Sequence, residues 1–337
     1  MAGLPVVDVA ALRSTGAARD EVARRLDAAC RDVGFFYVVG HAVDDGLQAE
    51  LEALSREFFG LPEDEKARIA MAEGGRAWRG WFPVGGELTS GRPDRKEGIY
   101  FGAELARDHP RVAAGVPLHG PNLFPARPPG LRDAVLGYMA AMTELGHLLA
   151  SAIARGLGLP DDWFVTHLTA DPTVLFRIFH YPAAPDAGDA GRPAGERAWG
   201  VAEHTDYGLL TILRQDDTGG LEVRTPNGWT DAPPEPGSFV CNLGDMLERM
   251  TGGLYRSTPH RVHNAGHVGR VSFAFFFDPS WDAEVRPLPL DRPHAPAPAA
   301  PRWDGANVHD IGGTYGDYLL AKVGKVFPDL RSRVLDR

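Results

Sequence analysis

The chain has 337 residues, 44% hydrophobic and 24% charged, with a formal net charge of −10 and a pI near 5.6. That is ample apolar material for one large or two ordinary globular cores. The acidic balance, without clustered Lys/Arg, excludes a nucleic-acid-binding chain, and a small anionic ligand would need a local basic site against the overall field.

The N-terminus has no basic region followed by an apolar run, and no apolar stretch reaches the length of a membrane span, so a cytoplasmic protein is expected. Residues 5–8 read as a short strand. Ala18 to Val33 has helical spacing, with Val22, Leu26, Ala29 and Cys30 on one face and Gly34 as its stop. Phe35 to Val39 is aromatic and β-branched and reads as a buried strand. Asp44 to Phe59 predicts a second helix, and Pro62-Glu63-Asp64-Glu65-Lys66 opens a third. Residues 72–127 are rich in Gly and Pro with little periodicity. They read as an ordered, loop-dominated region, because Trp78, Trp81, Phe82, Tyr100 and Phe101 need burial. Gly130 to Gly158 carries a long amphipathic helix on Leu131, Val135, Met139, Met142, Leu145 and Leu149.

From Val174 to Asp278 the period changes to two. Short apolar runs at Val174–Tyr181, Gly208–Leu213, Leu221–Arg224, Ser238–Asn242, Arg261–Ala265 and Val271–Phe277 alternate with Gly/Pro/Asp turns. That spacing predicts an antiparallel sandwich or barrel. Ala183–Gly200 reads as a surface loop, with the composition of a lid. Residues 286–302 are Pro-rich and extended, and Tyr315–Val326 predicts a terminal helix. Cys30 and Cys241 sit in apolar runs and are expected to be buried free thiols. Residues 1–337 read as a single α+β catalytic unit. Its parts are a helical and loop region over 1–127, a long-helix region over 128–170, a β core over 171–280 and a C-terminal extension over 281–337.

His204-Thr205-Asp206 and the later His260 carry the chemistry. In a strand, residues two apart share a face, so His204 and Asp206 can reach one metal while Glu203 and Thr205 point elsewhere. His260, after Ser257-Thr258-Pro259, supplies a second imidazole, with His263 and His267 as alternatives. Two imidazoles and one carboxylate are the ligand set of a facial non-haem Fe(II) site with open positions. Arg270 and Ser272 share a strand face and offer a guanidinium fork plus a hydroxyl, suited to a carboxylate or to an internal ion pair.

These residues fall in a wider pattern: His204-Thr205-Asp206-Tyr207-Gly208-Leu209-Leu210-Thr211, Asn242-Leu243-Gly244-Asp245, Arg256-Ser257-Thr258-Pro259-His260-Arg261-Val262 and Arg270-Val271-Ser272. With Phe176 to Pro182 and the N-terminal Gly34 to His41 and Phe58 to Pro62, the chain resembles the isopenicillin N synthase-like group of iron(II)/2-oxoglutarate-dependent dioxygenases. The resemblance implies a double-stranded β-helix, a distorted jelly roll flanked by helices. It implies His204, Asp206 and His260 as iron ligands, and Arg270, Ser272 and Tyr181 as the holders of the 2-oxoglutarate carboxylate. Phe179 departs from several plant members, which carry Asn there.

The expected reaction uses Fe(II), 2-oxoglutarate and O2, releases succinate and CO2, and hydroxylates a small metabolite or natural-product intermediate that carries a carboxylate. Two rivals stand beside it: an oxidase that needs no 2-oxoglutarate and desaturates or cyclises its substrate, and a non-catalytic metal-binding barrel. Arg79 and Arg177 are the candidate partners of a substrate carboxylate, and Trp81, Tyr100 and Phe101 candidate apolar contacts.

Overall fold

The computed structural model describes residues 3–89, 91–183, 199–263, 266, 268–290 and 312–327. Two β-sheets face each other as a jelly-roll core. The larger has eight strands in the order Val6–Asp8, Phe35–Val39, Phe239–Leu243, Leu210–Gln215, Arg270–Ser280, Pro172–Tyr181, Glu97–Gly102 and Gly80–Phe82. The smaller has four, in the order Gly228–Asp231, Leu221–Thr225, His260–Val262 and Val201–His204. Neighbours are antiparallel except the first pair of the larger sheet.

Strand Arg270–Ser280 is central and buried on both sides. Val271, Phe273, Phe275 and Phe277 point to the helical layer, as their alternation predicts. The Phe277 ring meets His147 on the long helix Leu131–Gly156. Helices Ala17–Asp32 and Asp45–Phe59 pack on that same long helix. Asp44 caps the second of them, its carboxylate accepting from the Leu47 amide. Tyr315–Val326 is a helix with a Thr314/Asp317 capping box. Cys30 and Cys241 are buried and free.

The region 72–127 is less loop-like than its composition suggests. Gly80–Phe82 and Glu97–Gly102 extend the larger sheet beyond Pro172–Tyr181. Glu97–Gly102 is buried at all its positions, so it lacks the polar/apolar alternation that marks a half-exposed strand. Val201–His204 and Gly228–Asp231 are short strands without a periodic signal of their own. Most of the Ala183–Gly200 segment and the stretch 291–302 lie outside the described residues. No helix of the described residues is long and apolar enough to cross a membrane.

Candidate metal centre

The smaller sheet presents two imidazoles on one rung. His260 and His204 are paired residues of adjacent antiparallel strands, with ring centroids 4.2 Å apart. His204 closes its strand, and Asp206 follows two residues later in the turn that leads to the larger sheet. Asp206 Oδ1 lies 3.8 Å from the Nε2 atom of each histidine. One donor atom from each of the three residues falls within 4.8 Å of the others, the one such group found among the described residues. A single first-row cation fits that spacing.

Protonation suits a cation. His204 Nδ1 is 2.8 Å from the Ala202 carbonyl and His260 Nδ1 is 3.2 Å from that of Thr258. A carbonyl only accepts, so each Nδ1 carries a proton, and the neutral form of either ring would have its lone pair on Nε2. Burial, reinforced by the charge of His260, pushes His204 down to about 3, so the ring is neutral at ordinary pH. Burial works against the Asp206 carboxylate, but the two imidazoles and two hydrogen bonds outweigh it and hold its pKa below the usual range. Those bonds come from Asn242 Nδ2 at 2.6 Å and Thr211 Oγ1 at 2.5 Å, both to Oδ2, leaving Oδ1 turned to the histidines.

Two glycines allow this packing. A Cβ on Gly208 would meet Asp278 Oδ1 at 1.4 Å, and one on Gly244 would meet the Gly208 carbonyl at 2.3 Å. The Asp245 amide then donates to the Asp206 carbonyl at 2.8 Å, and Ser257 Oγ donates to Asp245 Oδ1 at 2.8 Å. One short helix, Asp245–Met250, thus braces both ligand-bearing segments.

Arg270 lies across the cavity on the larger sheet, with no exposed surface. Its Nε donates to the Gly219 carbonyl at 2.7 Å and one Nη to Gln215 Oε1 at 3.1 Å. The other, Nη1, is buried without a partner among the described residues. Its guanidinium stacks 4.7 Å over the Tyr181 ring, and its strand pairs Arg270 with Tyr181 and Ser272 with Phe179. Tyr181 and Ser272 line the same cavity, whose empty volume is about 1030 Å³ out to its open mouth. An orphaned guanidinium N–H opposite a three-ligand metal site is what an anionic co-substrate chelating that metal would satisfy.

Of the five substrate-contact expectations, the structure brings Arg177 to the cavity wall and Tyr100 just behind it. Arg177 stacks 4.3 Å over the Tyr100 ring and 4.8 Å over Phe276. The other three do not line this cavity. Arg79 is buried elsewhere, donating to the Leu118 carbonyl at 2.8 Å and packed on Gly102, because the glycine leaves room for its guanidinium. Trp81 donates to Glu97 Oε2 at 2.9 Å, and Phe101 stacks on Phe124 in the core. His263 bonds through its amide to Gly220, and its ring packs on Trp199; His267 lies outside the described residues.

The sequence reading missed Asn242 and Thr211 as supports of Asp206, and a buried cluster of Glu87, Asp94 and Lys96. Lys96 Nζ is 2.8 Å from Glu87 Oε2, and Tyr100 donates to the other oxygen of Glu87. In Arg92-Pro93-Asp94-Arg95-Lys96-Glu97 no apolar run signals burial, yet Asp94, Lys96 and Glu97 are buried while Arg92 and Pro93 are exposed.

Comparison with known proteins decides the class. A family model for the 2OG-Fe(II) oxygenase superfamily matches residues 172–279, and one for the non-haem dioxygenase N-terminal region, described from morphine synthesis, matches residues 4–127. A probable iron/ascorbate oxidoreductase of Dictyostelium discoideum is 47% identical over 98% of this chain and 97% of its own. The chain belongs to the 2OG-Fe(II) oxygenase family. A homoarginine-6-hydroxylase of Arabidopsis thaliana is 36% identical, covering 95% of this chain and 96% of that one. A full-length Neurospora crassa protein, crystallised in complex with alpha-KG and thymine, superposes with a TM-score of 0.78 at 25% identity, over 95% of this chain and 96% of that one. As a 2OG-Fe(II) oxygenase the protein is an enzyme that uses iron and 2-oxoglutarate. The rival oxidase that dispenses with 2-oxoglutarate is not favoured by these matches.

Proposed function

We propose that this oxygenase hydroxylates a small, carboxylate-bearing metabolite, with His204, Asp206 and His260 holding Fe(II). Arg270, assisted by Ser272 and Tyr181, would hold the distal carboxylate of 2-oxoglutarate. The unpartnered Nη1 of Arg270, buried opposite the three ligands, carries this reading.

Bound iron would activate O2 as 2-oxoglutarate is oxidatively decarboxylated to succinate and CO2. The protein's own share is placement. Asn242 and Thr211 fix the Asp206 carboxylate, and the Ala202 and Thr258 carbonyls fix the imidazole tautomers. Arg270 fixes the co-substrate's far end, and the apolar walls, among them Phe179, Leu319 and Val326, limit water. Asp206 fills a ligand position that a halide would need, which favours hydroxylation over halogenation.

Arg177 is the candidate partner for the substrate carboxylate. Its guanidinium makes no hydrogen bond to the described residues, and the nearest carboxylate oxygen, on Glu87, is 3.8 Å away. The test is succinate release with Fe(II), 2-oxoglutarate and a panel of small carboxylic acids. Succinate formed in step with a hydroxylated acid supports the reading. Oxygen consumed in step with substrate but without succinate would return the oxidase alternative.

A further inference from the structure

Arg177 and Asp278 are a cationic and an acidic group, each without a close charged partner, on one cavity wall. Both line the cavity beside the metal centre, Arg177 from strand Pro172–Tyr181 and Asp278 from the adjoining strand Arg270–Ser280. Arg177 is held between two aromatic rings, donates no hydrogen bond to a described residue, and pairs with Glu87 only at 3.8 Å. Asp278 is only 2% exposed, and its acceptors meet neutral donors alone: the Leu209 amide at 3.0 Å and the Tyr315 hydroxyl at 2.6 Å. No cationic side chain of the described residues lies within ion-pair distance of it. Burying a carboxylate without a cation is costly, and so is burying a guanidinium without a hydrogen-bonded anion. Lys96 sits between Glu87 and Asp94, one ammonium for two carboxylates, and Glu87 reaches Arg177 only at 3.8 Å.

One ligand can satisfy both. We infer that the prime substrate is a free α-amino acid whose carboxylate meets Arg177 and whose ammonium meets Asp278. This rests on the reading that Arg177 receives a substrate carboxylate, and adds the second charge. A carboxylic acid without an amine would leave Asp278 with its neutral donors alone, and a neutral lactam would give neither group a charged partner. Burial raises the Asp278 pKa to about 7, so the empty site can carry the acid neutral and release its proton when an ammonium arrives.

The test uses the Fe(II)-loaded full chain with 2-oxoglutarate. L-Arginine, L-homoarginine, L-leucine and 1-aminocyclopropane-1-carboxylate are compared with their N-acetyl derivatives, the matching acids lacking the amine, and thymine. At least one free amino acid is expected to raise succinate release above the substrate-free rate. Its N-acetyl and deaminated forms should show kcat/KM lower by about tenfold or more, the loss of one charge-assisted contact. Asp278→Asn should raise KM for that amino acid by about tenfold, collapse its advantage over the N-acetyl form, and leave the 2-oxoglutarate requirement unchanged. If Asp278→Asn fails to fold, the wild-type substrate series decides alone. Equal or better use of the amine-free acid would overturn the amino-acid inference while leaving the carboxylate reading standing. Turnover with thymine alone would sink both, and failure of every free amino acid to stimulate succinate release would overturn the inference.

Discussion

His204 and His260 face each other across a single antiparallel rung, with ring centroids 4.2 Å apart and each Nδ1 tied to a backbone carbonyl two residues upstream. The rung sets the distance between the two Nε2 atoms, and the turn after His204 brings Asp206 to the same point. Strand register therefore sets the two imidazoles, and hydrogen bonds from Asn242 and Thr211 hold the carboxylate that follows the strand.

The supports of Asp206 should show in metal affinity. Asn242→Ala removes the donor at 2.6 Å, and Thr211→Val removes the one at 2.5 Å. Each should weaken Fe(II) binding by about 10- to 100-fold, with the fold retained. Competition with a metal-sensitive dye under anaerobic conditions reads this directly. Unchanged affinity in both variants would remove these residues from the site.

Arg270→Ala should leave iron binding intact and raise the 2-oxoglutarate requirement by at least about a hundredfold, since truncating one partner of a buried charge pair costs about 3–5 kcal/mol. Isothermal titration of 2-oxoglutarate into the anaerobic Fe(II) protein measures it. An unaltered dissociation constant would place the carboxylate clamp elsewhere.

Arg177 and Arg79 should separate cleanly. Arg177→Ala should raise substrate KM without changing 2-oxoglutarate binding. Arg79→Ala should lower the urea midpoint, because it deletes a buried hydrogen bond to Leu118 and leaves a void, yet spare substrate preference. A change of substrate preference in Arg79→Ala, with stability unaltered, would contradict the placement described above.

Asp278 gives a pH signature in stability. Its ordinary value is 3.8, and burial lifts it to about 7 in the folded protein. Between those values the native state keeps a proton that the unfolded chain has released, so stability falls as pH rises through the window. Each pKa unit is worth about 1.4 kcal/mol, so the loss from pH 5 to 7.5 is on the order of 3 kcal/mol. Asp278→Asn should lack this component. Urea unfolding of the metal-free wild type and variant at several pH values isolates it, and parallel pH profiles would show that Asp278 titrates normally.

Legibility from sequence follows the physics of each signal. Alternation exposes the strands around Arg270, because their two faces meet different layers. It fails for Glu97–Gly102, where both faces are buried and glycines interrupt the pattern. His204, Asp206 and His260 are readable from residue type, although Asp206 reaches the metal position from a turn rather than from the strand. Asn242 and Thr211 are not, because a side chain that acts by hydrogen-bonding a ligand has no spacing of its own; their strands are brought into register by Asn242 pairing with Thr211. Arg79 is misleading in sequence because only the tertiary fold reveals that its guanidinium packs on Gly102 rather than in the cavity.

The central claim is that His204, Asp206 and His260 hold one catalytic iron. The most direct measurement is iron content, after anaerobic loading and removal of free metal, for the wild type and for His260→Ala. One iron per chain is expected in the wild type, with loss of iron and of succinate release in His260→Ala while circular dichroism shows the fold retained. Full iron content and undiminished succinate release in His260→Ala would contradict the account and turn attention to His263.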